Sequence, residues 1–558
     1  MSRDVNKTGR DANGREPAIG TREDVGGARE AVSPAQQEWV SRPREAMSTV
    51  FSRAPLGLEA PLVRVEVHLG TGLPAFAMVG LPEAVVRESK ERVRSALLTT
   101  GFDFPSGRIT VNLSPADLPK EGGRFDLPIA VGILAAGREI PPRMLQGREF
   151  YGELSLGGEL RMTPKLLPAL IEGARCGSEL ILPFTNAHEA GLVPQARFRL
   201  ARHLREVCDV LKGKAAAAGG ARRADAATLG NVPDIPETGP ASGSAPDLVE
   251  VRGQFGAKRA LEVAAAGEHG LLLIGPAGAG KTLLAQRLPG LLPPLTAAEA
   301  LEVASLESVS GRRPSRGGRR PFRSPQHTAS VAALIGGSMR PGELSLAHLG
   351  VLFLDELPEF PRNALEALRE PLESGVVNLT RLKRTCEFPA RFQLVAAMNP
   401  CPCGYAGDVR GRCRCTAEQV ARYRGRISGP LIDRIDMHVE LQALPVEHLL
   451  GDAGVGGEDS ATVARRVLAA RQAQMRRQGK LNARLGPAEI TAFCRLDRES
   501  RALLGTAMSR LGLSARACHR VLKLARTCAD LAGAAEIRRA DVAEAVQLRV
   551  LDKAAPAP

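Results

Sequence analysis

Two periods of apolar and polar positions run along this chain, and the places where they change divide it. From Leu62 to Val67 apolar and polar residues alternate singly, which predicts a half-buried strand. Glu83 to Leu98 predicts a charge-rich helix, Arg108 to Leu113 a second strand, and Leu127 to Ala136 an apolar helix. Further on the strands are uninterrupted apolar runs: Leu271 to Ile274, Val351 to Leu354 and Phe392 to Met398. Such runs fit parallel strands buried on both faces. From about residue 459 the period is helical and rich in arginine. The pattern predicts a tail over 1–46, an α/β domain over 47–213, a flexible linker over 214–248, a second α/β domain over 249–445, a helical domain over 446–552 and a short tail over 553–558. Met47 stands just before the first patterned stretch and is a candidate start, and Trp39, the only tryptophan, falls in the first tail.

Composition narrows the class. The chain has 558 residues, 44% hydrophobic but only 3% aromatic, with 75 Lys and Arg against 61 Asp and Glu, a net charge of +14. No run approaches the roughly 20 apolar residues that cross a bilayer, and no secretory signal pattern opens the chain, so a cytoplasmic protein without membrane contact is expected. The basic excess fits a polyanion such as DNA, and equally an arginine-rich composition.

Gly275-Pro276-Ala277-Gly278-Ala279-Gly280-Lys281-Thr282 follows the first buried run and opens a short helix that Pro289-Gly290 is expected to stop. Small residues let backbone N–H groups close around phosphates, the helix N-terminus points at them, Lys281 reaches the outer phosphates and the Thr282 hydroxyl suits Mg²⁺. ATP and Mg²⁺ are the expected ligands. Asp355 and Glu356 end the second run, at the strand edge where open α/β sheets bind ligands. Asp355 is placed for Mg²⁺, and Glu356 to orient or deprotonate the attacking water. Asn399 ends the third run, where an amide can reach the γ-phosphate or that water.

These three elements resemble Walker A, Walker B and sensor 1 of an AAA+ ATPase. Phe322-Arg-Ser-Pro-Gln-His-Thr-Ala-Ser330, Pro341-Gly-Glu-Leu-Ser-Leu-Ala-His348, Asn399-Pro-Cys-Pro-Cys-Gly404 and Arg426-Ile-Ser-Gly-Pro-Leu-Ile-Asp-Arg-Ile-Asp436 resemble the magnesium-chelatase-like branch and, within it, the bacterial YifB/ComM family. The resemblance implies an α/β fold: a P-loop αβα core, a C-terminal helical lid and an N-terminal domain like the proteolytic domain of Lon (ribosomal S5 domain 2-like). It implies a homo-hexameric ring with ATP between subunits. Arg434 matches the arginine finger, with Arg424 and Arg426 as rivals, and Arg516 matches the sensor-2 arginine. Gly336 to Leu349 matches the helix-2 insert and Val376 to Phe392 the pre-sensor hairpin. On that hairpin Arg381, Lys383 and Arg384 could meet a sugar-phosphate backbone, or form an ordinary solvated face. The function implied is a DNA motor, a helicase or branch-migration enzyme of recombination or natural transformation, with recombination or DNA-uptake proteins as partners. The alternatives are a magnesium-chelatase motor subunit and an ATP-dependent protease.

Cys401-Pro-Cys403 and Cys413-Arg-Cys415 could enclose a structural Zn²⁺ with four thiolates. For the protease, Pro119-Lys-Glu-Gly-Gly-Arg124 puts Arg124 where Lon-type enzymes carry their nucleophilic serine, Ser114 lies upstream, and a guanidinium is no nucleophile. The N-terminal domain is expected to bind or to assemble rings.

Overall fold

A computed structural model of the chain describes residues 46–80, 84–118, 120, 122–214, 222–224, 246–337, 339–381, 384–406, 411–443, 457–549 and 551. Residues 1–45 and 553–558 of the expected tails, most of the expected linker and Lys383 lie outside the described residues, and Ala46, the last residue of the first expected tail, already belongs to a strand.

The N-terminal part builds one mixed sheet from β1 (Ala46–Arg53), β2 (Leu62–Gly70), β3 (Ala75–Val79), β4 (Arg108–Ser114), β5 (Arg148–Phe150), β6 (Glu179–Pro183), β7 (Arg197–Ala201) and β8 (Arg222–Ala224), in the order β8-β7-β6-β5-β1-β2-β4-β3. Alternation in β2 turns Val63, Val65 and Val67 fully inward. Helices α1 (Ala84–Thr99) and α2 (Asp126–Ala136) pack together on this core, and α2 is buried on every side, which is why it is apolar all round. A third helix, α3 (Leu167–Arg175), follows β5. Strand β8 falls within the stretch expected as linker; it pairs antiparallel with β7, Arg222 opposite Leu200, and so satisfies backbone groups along that sheet edge.

The second α/β unit contains α4 (Phe255–Gly267), β9 (Leu271–Ile274), α5 (Lys281–Leu291), α6 (Ala297–Ser310), β10 (Phe322–Arg323), α7 (Glu343–Leu346), β11 (Val351–Leu354), the hairpin β12 (Val376–Arg381) and β13 (Arg384–Pro389), β14 (Gln393–Met398) and β15 (Met437–Glu440). Five of these strands make an all-parallel sheet ordered β10-β11-β14-β9-β15. Leu271, Leu273, Phe353 and Val395 face one core with α4 and α5, while Leu272, Ile274, Leu352 and Leu354 face another on the far side. Burial on both faces explains the unbroken apolar runs. Helix α5 does not stop before Pro289 but runs on to Leu291, because Leu288 and Leu291 are both fully buried and hold the last turn despite the missing N–H.

The C-terminal helices α8 (Ser460–Gln478), α9 (Arg498–Leu511), α10 (Ala515–Leu531) and α11 (Arg539–Gln547) bury Val467, Leu504, Leu524 and Val542 in the same core as α4. The N-terminal part docks on α6: Leu301 and Ala304 join its apolar cluster, Ser308 Oγ donates to Glu189 Oε1 at 2.8 Å, and the Leu167 N–H at the start of α3 donates to Ser308 Oγ. Among the described residues no helix is long and apolar enough to cross a membrane.

Candidate functional site

The loop from Gly275 to Gly280 leaves the C-terminal end of β9 and turns into α5. Gly278 (φ +80°) and Gly280 (φ +89°) take the left-handed backbone that favours glycine, and a Cβ on either would meet nothing within 4 Å. That leaves an open cradle at a helix N-terminus, suited to an anion. Lys281 folds back over it. Its Nζ donates to the carbonyls of Gly275 (2.7 Å) and Pro276 (2.9 Å) and to Asn399 Oδ1 (3.1 Å). Burial lowers the pKa of this ammonium, against the opposite pull of Asp355 and Glu356.

Strand pairing brings the other residues to the same edge. β14 lies between β9 and β11, in register Ile274 with Met398 and Leu354 with Ala396, so Asn399 and Asp355 emerge beside the loop. Thr282 Oγ1 donates to Asp355 Oδ2 at 2.8 Å. A hydroxyl and a carboxylate are hard oxygen donors that fit Mg²⁺, and these two would hold it. The chemistry such an ion would supply there is positive charge against the phosphates. Glu356 takes left-handed backbone (φ +52°) and leaves its carboxylate half exposed, 3.3 Å from His327 Nδ1. His327 lies 29 residues before Glu356, too far for any local pattern to link them, and the β10–β11 pairing brings the two together.

Arg434 and Arg516 lie elsewhere. Arg434 precedes β15, whose Met437 pairs with Leu271 at the start of β9, so it sits at the sheet edge opposite the phosphate loop. Its guanidinium donates to Pro430 O (2.7 Å) and contacts Glu373 Oε1 (2.7 Å); Arg516, on α10, reaches the same oxygen at 2.5 Å. Arg516 first and Arg434 next hold the Glu373 carboxyl below its ordinary range. Glu373 carried no sequence signal, being one acid among many on a short amphipathic stretch. The rivals stay at the loop's own edge: Arg426 pairs with Glu359 (2.7 Å), just past β11, and Arg424 donates to Pro400 O, just past β14.

Comparison with known proteins covers this whole arrangement. The model described as magnesium chelatase, subunit ChlI, matches residues 247–449; subunit ChlI of Mg-chelatase matches 65–186; and the ChlI C-terminal model matches 457–549. The chain is 47% identical over 513 residues to YifB of Salmonella typhimurium, spanning 91% of this chain and 98% of that protein. It is 47% identical over 515 residues to YifB of Escherichia coli, with the same coverage. Competence protein ComM of Haemophilus influenzae is 46% identical over 513 residues, again 91% and 98%. The chain belongs to the YifB/ComM family of magnesium-chelatase-like proteins. Membership implies the AAA+ architecture, use of ATP and Mg²⁺, and ATPase activity.

In this YifB/ComM-family chain the four cysteines converge. Their sulfurs all lie within 4.8 Å of one another, with Cys401 to Cys403 at 3.3 Å, Cys401 to Cys413 at 3.8 Å and Cys403 to Cys413 at 3.7 Å. A tetrahedron of Zn–S bonds of about 2.3 Å has sulfur edges of about 3.8 Å, so the set is compatible with a structural zinc. Backbone N–H groups of Arg414 and Tyr405, with the Cys401 side chain, pull the Cys403 thiol down, while burial and the neighbouring thiols push Cys413 and Cys415 up, so without a metal the four do not ionise together.

The hairpin expected to carry three cations is present. Arg381 and Arg384 are backbone register partners at its end, and Lys383 lies outside the described residues. Its base packs on Leu56 and Leu58 through Phe388 and Cys386. In the N-terminal domain Arg124 is buried and its guanidinium donates to the carbonyls of Pro164 (2.6 Å), Lys165 and Arg53. It is a structural cross-link at the position compared with the Lon nucleophile.

Proposed function

We propose that this chain is a ring-forming ATPase motor that acts on DNA, in recombination or in the uptake of DNA during competence. What supports the reading is the separation of one catalytic set across two edges of a single sheet. Lys281, Thr282, Asp355, Glu356 and Asn399 gather at one edge, and Arg434 and Arg516 at the other. One protomer cannot bring the second group to its own phosphates. A head-to-tail ring brings the Arg434 edge of one copy to the phosphate loop of the next, and a closed ring makes every site complete. An arginine supplied in trans stabilises charge on the transferring phosphoryl group. In this reading Lys281 binds the outer phosphates, Glu356 takes the proton of the attacking water and Asn399 orients that water. Support for DNA comes from the net charge of +14, the arginines at the hairpin end and the likeness to a protein named for competence.

A second reading, the motor subunit of a magnesium chelatase, is favoured by the description shared by all three matching family models. One experiment separates the two. ATPase rate is measured alone and with single-stranded, duplex and forked DNA. Stimulation by any of them supports the DNA motor. A rate indifferent to all three, but raised by a chelatase partner subunit, transfers the assignment to the second reading. The protease reading has no nucleophile at Arg124, and ATP-dependent casein cleavage would be needed to revive it.

A further inference from the structure

The loop that joins α6 to β10 is rich in arginine and free of acids. From Gly311 to Arg323 it carries Arg312, Arg313, Arg316, Arg319, Arg320 and Arg323, and no Asp or Glu. Three carboxylates border it. Glu343 takes Arg323 at 2.6 and 2.8 Å and Arg312 at 3.2 Å, and Glu299 lies 3.8 Å from Arg320. Glu307 accepts instead from the Ser315 N–H and hydroxyl, at 2.7 and 3.0 Å. Arg316 and Arg319 are exposed, and among the described residues neither guanidinium has an ion pair or hydrogen bond. Arg313 is exposed as well and meets a neutral partner, Nδ1 of His188, at 3.4 Å. The loop therefore keeps a surplus of positive charge.

Its main chain is tied down. Helix α6 ends in left-handed Gly311 (φ +83°), Ser315 folds back onto Glu307 of the same helix, and the Leu295 N–H donates to Gly318 O at 2.8 Å. Pro314 is buried. The N-terminal domain holds the other side through His188, whose Nε2 lies 2.7 Å from Pro314 O. A carbonyl only accepts, so Nε2 donates and Nδ1 is left to accept from Arg313. Both α/β units thus fix the backbone that displays Arg313, Arg316 and Arg319. A platform ordered beforehand loses less entropy when it binds.

We propose that Arg313, Arg316 and Arg319 form a docking surface for the sugar-phosphate backbone of DNA, on a segment separate from the hairpin. The exposed residues between Gly311 and Arg319 are all glycine, serine or arginine. Such a surface gives a peptide or an acyl chain no apolar contact, and gives a base no ring to stack on. It gives phosphate oxygens the paired N–H donors of guanidinium groups. Contacts of that kind place a duplex without reading its sequence. The proposal rests on the DNA-motor reading above, and adds where the strand is held: at the seam between the N-terminal domain and the motor.

The test measures binding of full-length protein to a labelled duplex over a range of salt. Each phosphate contact adds about 0.9 to the slope of log Kd against log[salt], so Arg313→Gln, Arg316→Gln and Arg319→Gln together should lower the slope by about 2 to 3. Two duplexes of unrelated sequence should give the same change. Binding of a fluorescent ATP analogue and the DNA-free ATPase rate should stay within about twofold of the parent, which also certifies folding. A control removes equal charge elsewhere: Arg495→Gln, Arg498→Gln and Arg501→Gln, three exposed arginines at α9, should lower the slope by less than about 1. A parental slope in the loop variant overturns the surface. So does an equal fall in the control, which would mean a diffuse field. Poly-glutamate that competes as strongly as unlabelled duplex of equal charge, and only while the loop is intact, would give the surface to an acidic protein segment and overturn the DNA assignment. If the parent binds no duplex at any salt, the DNA-motor reading itself fails and this surface fails with it.

Discussion

Lys281 and Asn399 meet through a 3.1 Å hydrogen bond from Nζ to Oδ1, although 118 residues separate them in the chain. The bond ties the phosphate loop to the tip of the neighbouring strand, so the ammonium and the amide are poised over one cradle. The remaining Nζ partners are backbone carbonyls of the loop itself, and these hold the lysine over it.

Lys281→Ala should therefore lose ATP binding rather than turnover alone. Hydrogen bonds to a charged group are worth about 1.5–3 kcal/mol, or roughly 10- to 100-fold in Kd. Titration with a fluorescent nucleotide measures it. Tight binding retained in the variant would place the phosphates somewhere other than this loop.

Arg434→Ala should bind ATP normally and hydrolyse it about 10³-fold or more slowly, the order found when a trans arginine is absent. Mixing decides whether the finger reaches a neighbour. A Lys281→Ala copy still offers Arg434, and an Arg434→Ala copy still offers an intact loop, so some interfaces in a mixed ring regain both. Activity should rise above the sum of the two variants and peak at an intermediate ratio. A strictly additive titration would confine Arg434 to its own protomer.

Much of this site was legible in the chain because each piece is local. The loop, the run ending in Asp355-Glu356 and the run ending in Asn399 each combine a strand and its tip within a dozen residues, and the structure sets the three side by side. The contacts that couple those pieces were not legible. Glu373 meets Arg516 across 143 residues, and His327 meets Glu356 only because β10 and β11 are neighbours in the sheet. Glu373 did not stand out, since single charged residues on polar stretches are the commonest feature of any surface, and His327, though inside the stretch Phe322–Ser330 that carries the family resemblance, had no role of its own there. Helix α5 outran its proline for a related reason: tertiary burial of Leu288 and Leu291 overrode a local stop signal.

The cysteine set predicts one zinc per chain. Purified protein should carry the metal in stoichiometric amount, and a strong chelator should release it together with four titratable thiols. ATP binding should weaken as well, because Cys401 lies two residues past Asn399 and a Cβ on Gly404 of the same loop would lie 3.9 Å from the Ala277 nitrogen of the phosphate loop. Metal-free protein with four reactive thiols from the outset would remove zinc from the picture.

Asp436 predicts where the C-terminal helices lose their grip. Its carboxylate accepts from the Gly270 N–H (3.0 Å) and from Arg520 of α10, and lies 3.3 Å from His269 Nδ1, whose other nitrogen meets Thr527 of the same helix at 2.8 Å. Burial alone would raise its pKa. Arg520, His269 and the Gly270 N–H outweigh burial and hold the carboxyl far below its usual range. A carboxylate depressed in the folded state adds stability that is fully present above its unfolded pKa of about 4 and is lost as pH falls below that value. Asp436→Asn leaves Arg520 without its counter-ion, and breaking a buried pair costs about 3–5 kcal/mol. Urea unfolding at neutral pH should show that loss. The gap between parent and variant should stay flat down to about pH 4 and shrink below it, where the parent's own carboxyl begins to protonate. A gap of the same size on both sides of that point would mean that the asparagine disturbs packing, and that charge is not what docks α10 on the sheet.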